Sequence, residues 1–447
     1  MDKTQSRRRR LMKILLTGAG GFIASVVLEK LLEQGCQVVA VARRRANIPV
    51  SDSVTFIQAD LQHLTRMEDW SPMLRGVDAV INCAGILRES RKGDFDLVHF
   101  QAPKALVEAC LQNGVERFVQ ISALGTEQDG GFITSKHKFD DYLMRALPTA
   151  VVLRPSVVLS ERGSYGGTSL LRALAALPYL LFIPGSGDQK IQPILLEDLA
   201  SVVAQAATRT DDAQSLARSS GVAYTVGPEV ITLREYLTLM RRWLKFPAAK
   251  LVAVPISLIG LVAWIGQRLG AGPLNDTVWG MLKRGSYAEP GAYEQACEKF
   301  DYAPRSVKGY LQTSASFVQD RWHARLYLLR EPVWLTLVVV WLLSGVAGFA
   351  ARPEAFEPVL KAISLPETLW RPMVWFTSIL DIVLGALLLS RRHMALVGQW
   401  MLLCVLGYTL TLGALAPALW LEPLGGLLKN LPLLCLLGLF LVVEKLR

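Results

Sequence analysis

Chemistry is most legible in the segment Thr17-Gly18-Ala19-Gly20-Gly21-Phe22-Ile23-Ala24, between the apolar run Lys13–Thr17 and an amphipathic stretch that starts at Phe22. Glycines there permit a tight turn and bring backbone N–H groups close to a ligand. They also open a helix whose positive end attracts anions. Backbone N–H groups of this turn, with Gly18, Gly20 and Gly21, can therefore approach a pyrophosphate. At the end of the next β-branched run, Gln37–Ala42, an acidic residue would hydrogen-bond a ribose 2′-hydroxyl. The chain instead reads Arg43-Arg44-Arg45. Guanidinium groups suit a 2′-phosphate, so NADP(H) is favoured over NAD(H), with Arg43 as the direct contact.

Such groups must be held at the ends of strands, and the pattern supplies the strands. Short runs at Lys13–Thr17, Gln37–Ala42, Val54–Ile57, Asp78–Asn82, Arg117–Ser122 and Thr149–Arg154 alternate with helical stretches at Phe22–Gln34, Leu97–Gln112 and about 135–146. Gly35 and Asn113-Gly114 stop the first two helices. Nearly continuous apolar strands separated by helices predict a parallel sheet covered on both faces. The fold class is α/β, a doubly wound (Rossmann) sheet, with residues 13–155 as the nucleotide-binding domain. Residues 156–320 complete that fold and form a smaller substrate lobe, with a turn at Pro184-Gly-Ser-Gly-Asp188 at its base. Within it, Leu251–Gly266 is free of charge over 16 residues but holds Pro255. A helix of that length spans about 24 Å, short of a bilayer, so it is expected to be a buried or interfacial helix.

The spacing Gly18-x-x-Gly21-x-x-Ala24 resembles the short-chain dehydrogenase/reductase superfamily, extended or atypical branch. Asp60-Leu61, Asn82-Cys83-Ala84-Gly85, Ile121-Ser122-Ala123 and Arg154-Pro155-Ser156 are similar to its motifs. So are Gln192-Pro193 with Glu197-Asp-Leu-Ala200, and Tyr224-Thr-Val-Gly-Pro228 with Ile231-Thr-Leu-Arg-Glu235. The nearest subgroup is that of the SDR-like accessory subunit of respiratory complex I. The resemblance implies that Gly18, Gly21 and the backbone around Phe22 and Ile23 hold the diphosphate, and that Asp60 contacts the adenine, a role that competes with helix capping. It implies that Ala84 and Gly85 pack beside the adenosine half. It also implies a catalytic Ser122 and Lys136 with a tyrosine four residues before the lysine. That position is Phe132, which can neither donate nor accept a proton. Tyr165, in the glycine-rich loop Gly163–Gly167, is a candidate replacement acid; Thr134 with Lys138 would need further activation, and Tyr142 is set on another helix face.

Hydrophobic residues make up 51% of the 447 and charged residues only 19%, an apolar excess over ordinary globular domains. It collects at the C-terminus. Spans are expected at about 332–351, 372–390, 394–416 and 425–443, making residues 331–447 a four-helix transmembrane domain similar to DoxX-like domains. Arg321, Arg325, Arg330, Arg391, Arg392, Lys445 and Arg447 fall on one side of these spans. The positive-inside tendency then puts the nucleotide-binding domain and both termini in the cytoplasm, at an inner or cytoplasmic membrane. Lys429 is expected to snorkel or to line the bundle. Asp381 is expected to face the bundle interior, either as a proton or quinone contact or hydrogen-bonded to Ser378, Tyr408 or Thr411.

Half of the net charge of +10 comes from a basic tail, residues 1–12 with Lys13, which would touch anionic lipid or remain solvated. No basic reading helix or aromatic platform accompanies it, so nucleic acid is not an expected partner. Six scattered cysteines without a CxxC pair suggest no metal site and no disulfide framework. Two functions fit. One is a membrane-anchored NADPH-dependent reductase of a hydrophobic carbonyl or quinone. The other is a non-catalytic NADPH-binding accessory, assembly or redox-sensing protein of a respiratory or lipid membrane complex. Phe132 weighs toward the second.

Overall fold

Short apolar runs fold as strands in the computed structural model, which describes residues 11–160, 162–209, 218–261, 280, 283–421 and 426–445. They are β1 (Lys13–Thr17), β2 (Gln37–Ala42), β3 (Val54–Gln58), β4 (Ala79–Asn82), β5 (Arg117–Ile121), β6 (Val151–Pro155) and β7 (Val158–Leu159). Then follow β8 (Leu180–Pro184), β9 (Lys190–Ile191), β10 (Ile194–Leu195), β11 (Gly221–Thr225), β12 (Ile231–Thr232) and β13 (Lys250–Val254). The principal helices are α1 (Phe22–Glu33), α2 (Ala102–Gln112), α3 (Gly131–Ala146), α4 (Gly167–Ala175), α5 (Leu196–Thr208), α6 (Leu233–Trp243), α7 (Val318–Ala350), α8 (Trp370–Leu389), α9 (Met394–Leu415) and α10 (Asn430–Lys445). Two units divide the chain, Met1–Arg325 and Leu326–Arg447.

In the first unit, seven strands form one all-parallel sheet in the order β11-β6-β5-β4-β1-β2-β3. Strand alternation assigns the two faces. Ile14 and Leu16 of β1 point into a core shared with α1 and α5, while Leu15 points into another with Trp70, α2 and α3. β1 pairs with both β2 and β4, so the winding reverses between β1 and β4. The crevice beyond their C-terminal ends is where such sheets bind ligands. It receives the turn after Thr17 and the Cys83-Ala84-Gly85 segment after Asn82.

A third core, with Tyr236, Trp243 and Leu181, lies in the region after β6. Here the segment Leu251–Gly266 departs from the expected helix. Residues 250–254 are β13, paired in parallel with β8 (Leu181↔Leu251, Ile183↔Ala253). Pro255 disfavours helical geometry at Val254, and a helical turn occupies 256–261 only after it. Residues 262–266 of that segment lie outside the described residues, as do residues 1–10 of the basic tail. α3 starts at Gly131, four residues before the expected start, because Thr126 N–H donates to Asp129 Oδ2 (2.7 Å) and Gly130 adopts φ 100° at the entry.

Among the described residues, four helices are long and apolar enough to cross a membrane: Val318–Ala350, which begins in the first unit, and Glu367–Leu389, Met394–Leu415 and Leu427–Glu444 of the second. The first starts well before the expected span at 332; residue 425, the expected start of the fourth, is outside the described residues. Trp334, Leu337, Met401, Val405, Leu437 and Phe440 pack inside the bundle, while Leu343, Phe376 and Leu410 point outward. Small residues set the closest approach: a Cβ on Gly345 would lie 2.7 Å from the Ser378 carbonyl oxygen. Asp381 Oδ2 accepts from Ser344 Oγ at 2.8 Å, across to α7. The expected partners are engaged elsewhere: Ser378 and Thr411 hydroxyls bond carbonyls of their own helices, and the Tyr408 hydroxyl reaches Asn430.

Candidate functional site

The glycine turn is built for close approach. Gly18 has φ +66°, and a Cβ there would sit 2.9 Å from Ala84 Cα. A Cβ on Gly20 would meet the Ala46 carbonyl oxygen at 2.9 Å. Asn47 Nδ2 donates to Gly20 O (3.4 Å), and Ala19 N–H donates to Val41 O (3.2 Å). The loop carrying Arg43, Arg44 and Arg45 is thereby fastened against the turn. Arg43 and Arg44 are exposed, and no acidic side chain among the described residues pairs with either; Arg45 lies over the Phe56 ring. Gly21 precedes α1 without any side-chain cap, leaving the positive helix end free of a protein anion. These residues fit a dinucleotide: the backbone is bare where a diphosphate must approach, and free guanidinium groups stand alongside. Asp60, half-buried, caps the short turn Leu61–His63 by accepting from Gln62 N–H at 3.1 Å.

Around β4 and β5 the remaining candidates form a dense polar cluster. Lys136 is buried; its Nζ donates to Ala84 O (2.9 Å) and Ile121 O (3.0 Å). Burial pulls its ammonium down to about 8, partly countered by Asp140. Gly85 lies against it: a Cβ would come within 3.1 Å of Nζ. Ser122 Oγ donates to Asp140 Oδ2 at 2.6 Å, and the same oxygen accepts from Arg154 Nε (3.1 Å) and Nη2 (2.9 Å). Burial raises the Asp140 carboxyl above its ordinary value, against Ser122 and Arg154, which favour its charge. With its proton held by Asp140, Ser122 presents an acceptor to a ligand.

Phe132 packs edge-on against His99, with ring centroids 5.5 Å apart. Both His99 nitrogens are committed. Ile86 N–H donates to Nε2 (3.0 Å), so Nδ1 carries the proton and faces Ser135 Oγ (2.7 Å), which donates onward to Phe132 O (3.0 Å). Burial, with Lys136 nearby, drives the imidazole down to about 2. His99 is therefore a neutral strut and not a proton donor.

A cavity of about 410 Å³ opens between this cluster and the β8–β13 segments. Phe22, Ile23, Ser122 and Phe132 form one wall; Phe182, Val254 and Ile259 belong to the other. Hydroxyls of Ser122, Tyr165 and Thr168 and the Gln189 amide supply polarity, and no charged side chain lines it among the described residues. Tyr165 stacks on Phe22 (6.4 Å). Its loop is tied down by Arg172, whose Nη2 donates to Ser160 O (2.6 Å) and Gly163 O (3.4 Å) while Nη1 pairs with Asp320 (3.3 Å). Phe22 and Ile23 thus stand both at the end of the glycine turn and in the cavity wall.

Residues 18–160 match the NAD(P)H-binding family, and residues 338–438 match the DoxX-like family. The chain carries an NAD(P)H-binding Rossmann domain and a DoxX-like membrane domain. It is an integral membrane protein. The NAD(P)-binding unit is similar to NADH dehydrogenase (ubiquinone) 1 alpha subcomplex subunit 9, mitochondrial, of Rattus norvegicus. Identity is 26%, over 57% of this chain and 66% of that protein. It is also similar to the chloroplastic divinyl chlorophyllide a 8-vinyl-reductase of Zea mays, at 27%, over 56% of this chain and 64% of that one. The match spans just under two thirds of these relatives' length. Among solved structures, the UDP-glucose 4-epimerase of Thermotoga maritima superposes with a TM-score of 0.51 at 17% identity. It covers 71% of this chain and all of that one, a likeness of fold.

Sequence reasoning missed His99 and Asp140 in the NAD(P)-binding domain. Asp140 carried a usable signal, since it stands four residues after Lys136 on the same helix face. His99 carried none, because its partners Ile86 and Ser135 come from separate segments. Nor could the pattern show that the cavity walls, drawn from stretches between residues 22 and 286, would carry no charged side chain among the described residues.

Proposed function

We propose that this protein is a membrane-anchored NADPH-dependent reductase of a hydrophobic quinone or carbonyl compound. The cavity carries the reading. It abuts the glycine turn through Phe22 and Ile23, is large enough for a small organic ligand, and has no charged lining residue among the described residues. A sugar nucleotide would need cationic partners for its diphosphate there; an apolar ring or chain does not. Gly18, Gly20, Gly21 and the N-terminus of α1 hold the diphosphate, Arg43 the 2′-phosphate, and Asp60 the adenosine half. NADPH, when bound, supplies the hydride. Ser122 orients the acceptor, Lys136 fixes the Ala84 and Ile121 backbone around it, and the apolar walls exclude water. With Phe132 at the usual acid position, the proton comes from the Tyr165 phenol or from water at the cavity mouth. A quinone suits this site because its reduced oxygen demands less of an enzymic acid than an alkoxide does. The DoxX-like domain anchors the reductase, with the NAD(P)-binding unit and both termini on the cytoplasmic side.

The test is single-turnover oxidation of bound NADPH by the full chain in nanodiscs, against a panel of quinones and aldehydes. Oxidation that depends on the acceptor is the expected result. Tight NADPH binding without oxidation by any acceptor overturns it and favours the second reading, a non-catalytic NADPH-binding partner of a membrane complex. Phe132 and the fully engaged His99 are the observations behind that second reading.

A further inference from the structure

Around the cavity, apolar side chains are exposed and uncovered among the described residues. Leu180 and Phe182 of β8, Leu251 of β13, and Ile256, Leu258 and Leu261 of the turn at 256–261 are all exposed, Leu258 and Leu261 by about half (50% and 51%). Pairing of β8 with β13 joins the strands, and Ile256 packs over Gly185 at the end of β8. Phe182, Val254 and Ile259 of the same segments line the cavity, so the exposed apolar side chains border it directly.

Positive charge borders this face. Residues 241–250 hold Arg241, Arg242, Lys245 and Lys250 and no acid; the last three are exposed. Arg325 stacks over Phe246 at 4.5 Å. Trp322, one turn earlier on the same helix, is 65% exposed, and Tyr179, preceding β8, is 84% exposed. An apolar face rimmed by cationic and amphipathic aromatic side chains has the composition of a surface that lies in a lipid headgroup layer. A bilayer is also the surrounding to which four spans of this same chain commit it.

We propose that this face docks in the interfacial layer of a bilayer containing anionic phospholipid, and that the cavity receives its acceptor laterally from that layer. The second clause rests on the reductase reading; docking itself does not require turnover. The experiment uses the full chain in nanodiscs of phosphatidylcholine and phosphatidylglycerol. A photoreactive p-benzoylphenylalanine is placed at Leu258, at Val50 as a distant exposed control, and at Leu410 as a lipid-facing control. Irradiation is expected to give phospholipid adducts at 258 and 410 and none at 50. Adding Lys245→Glu with Lys250→Glu is expected to lower the 258 adduct in anionic discs and leave it unchanged in neutral ones. A 258 yield no higher than at 50 while 410 labels, or adducts to protein in place of lipid, overturns docking. NADPH oxidation by a short water-soluble quinone, measured on the same samples, separates the two ideas. Oxidation without the adduct refutes docking alone, and the adduct without oxidation refutes the reductase reading alone.

Discussion

Arg43 stands free beside the loop that Asn47 fastens to Gly20, so its contribution is confined to whatever occupies the turn. Arg43→Ala is expected to weaken NADPH by roughly tenfold or more, about 1.4 kcal/mol or above, and NADH by much less; equal losses by titration calorimetry would remove the 2′-phosphate assignment. Tyr165→Phe is expected to slow aldehyde reduction more than quinone reduction, since only the alkoxide depends on a supplied proton. His99 sets an acid limit. Its folded value near 2 lies below the unfolded 6.5, so the unfolded chain binds the extra proton between those values. The stability is complete above pH 6.5 and is lost as pH falls, by about 2 kcal/mol at pH 5. His99→Gln should flatten that loss in denaturant unfolding at pH 7.5 and pH 5. The glycine turn and the arginines after β2 are legible in the sequence because each sits at a fixed place after an apolar run. Asp140 and His99 act through partners far off in sequence, and no local pattern announces such pairs.

Elements differ in how plainly they speak. β1 and β2 keep their expected bounds because apolar runs flanked by a glycine turn and a basic loop have no competing fold. β13 was read as helix because Leu251–Gly266 lacks charge; its partner β8 comes from a stretch 70 residues earlier, and pairing decided the matter. β11 was visible only as part of a motif, since its closing place on the sheet edge against β6 is a property of the assembled layer. At this scale the glycine turn is the sensitive joint. Gly18→Ala combines a left-handed φ with a 2.9 Å approach to Ala84 Cα. It should cost about 1–3 kcal/mol of stability and weaken both NADPH and NADH, in contrast to Arg43→Ala. Unchanged NADH affinity would show that the turn does not touch the diphosphate.

For the whole molecule, the basic residues around the spans predict which side of the membrane holds the NAD(P)-binding unit. An alkaline phosphatase fusion after Arg447 should be inactive and a fluorescent protein fusion there bright; the reverse pattern would invert the topology. The sheet order carries one more consequence, for biosynthesis. Its last strand, β11, ends at Thr225, and the charge-free stretch of the first span starts at Pro332, about a hundred residues later. Ribosomes add roughly 5–20 residues per second. The nascent chain therefore has seconds in which all seven strands are already made and no span has yet been translated. A sheet whose every pairing is non-local needs such an interval, and the order of parts along the chain provides it before insertion begins.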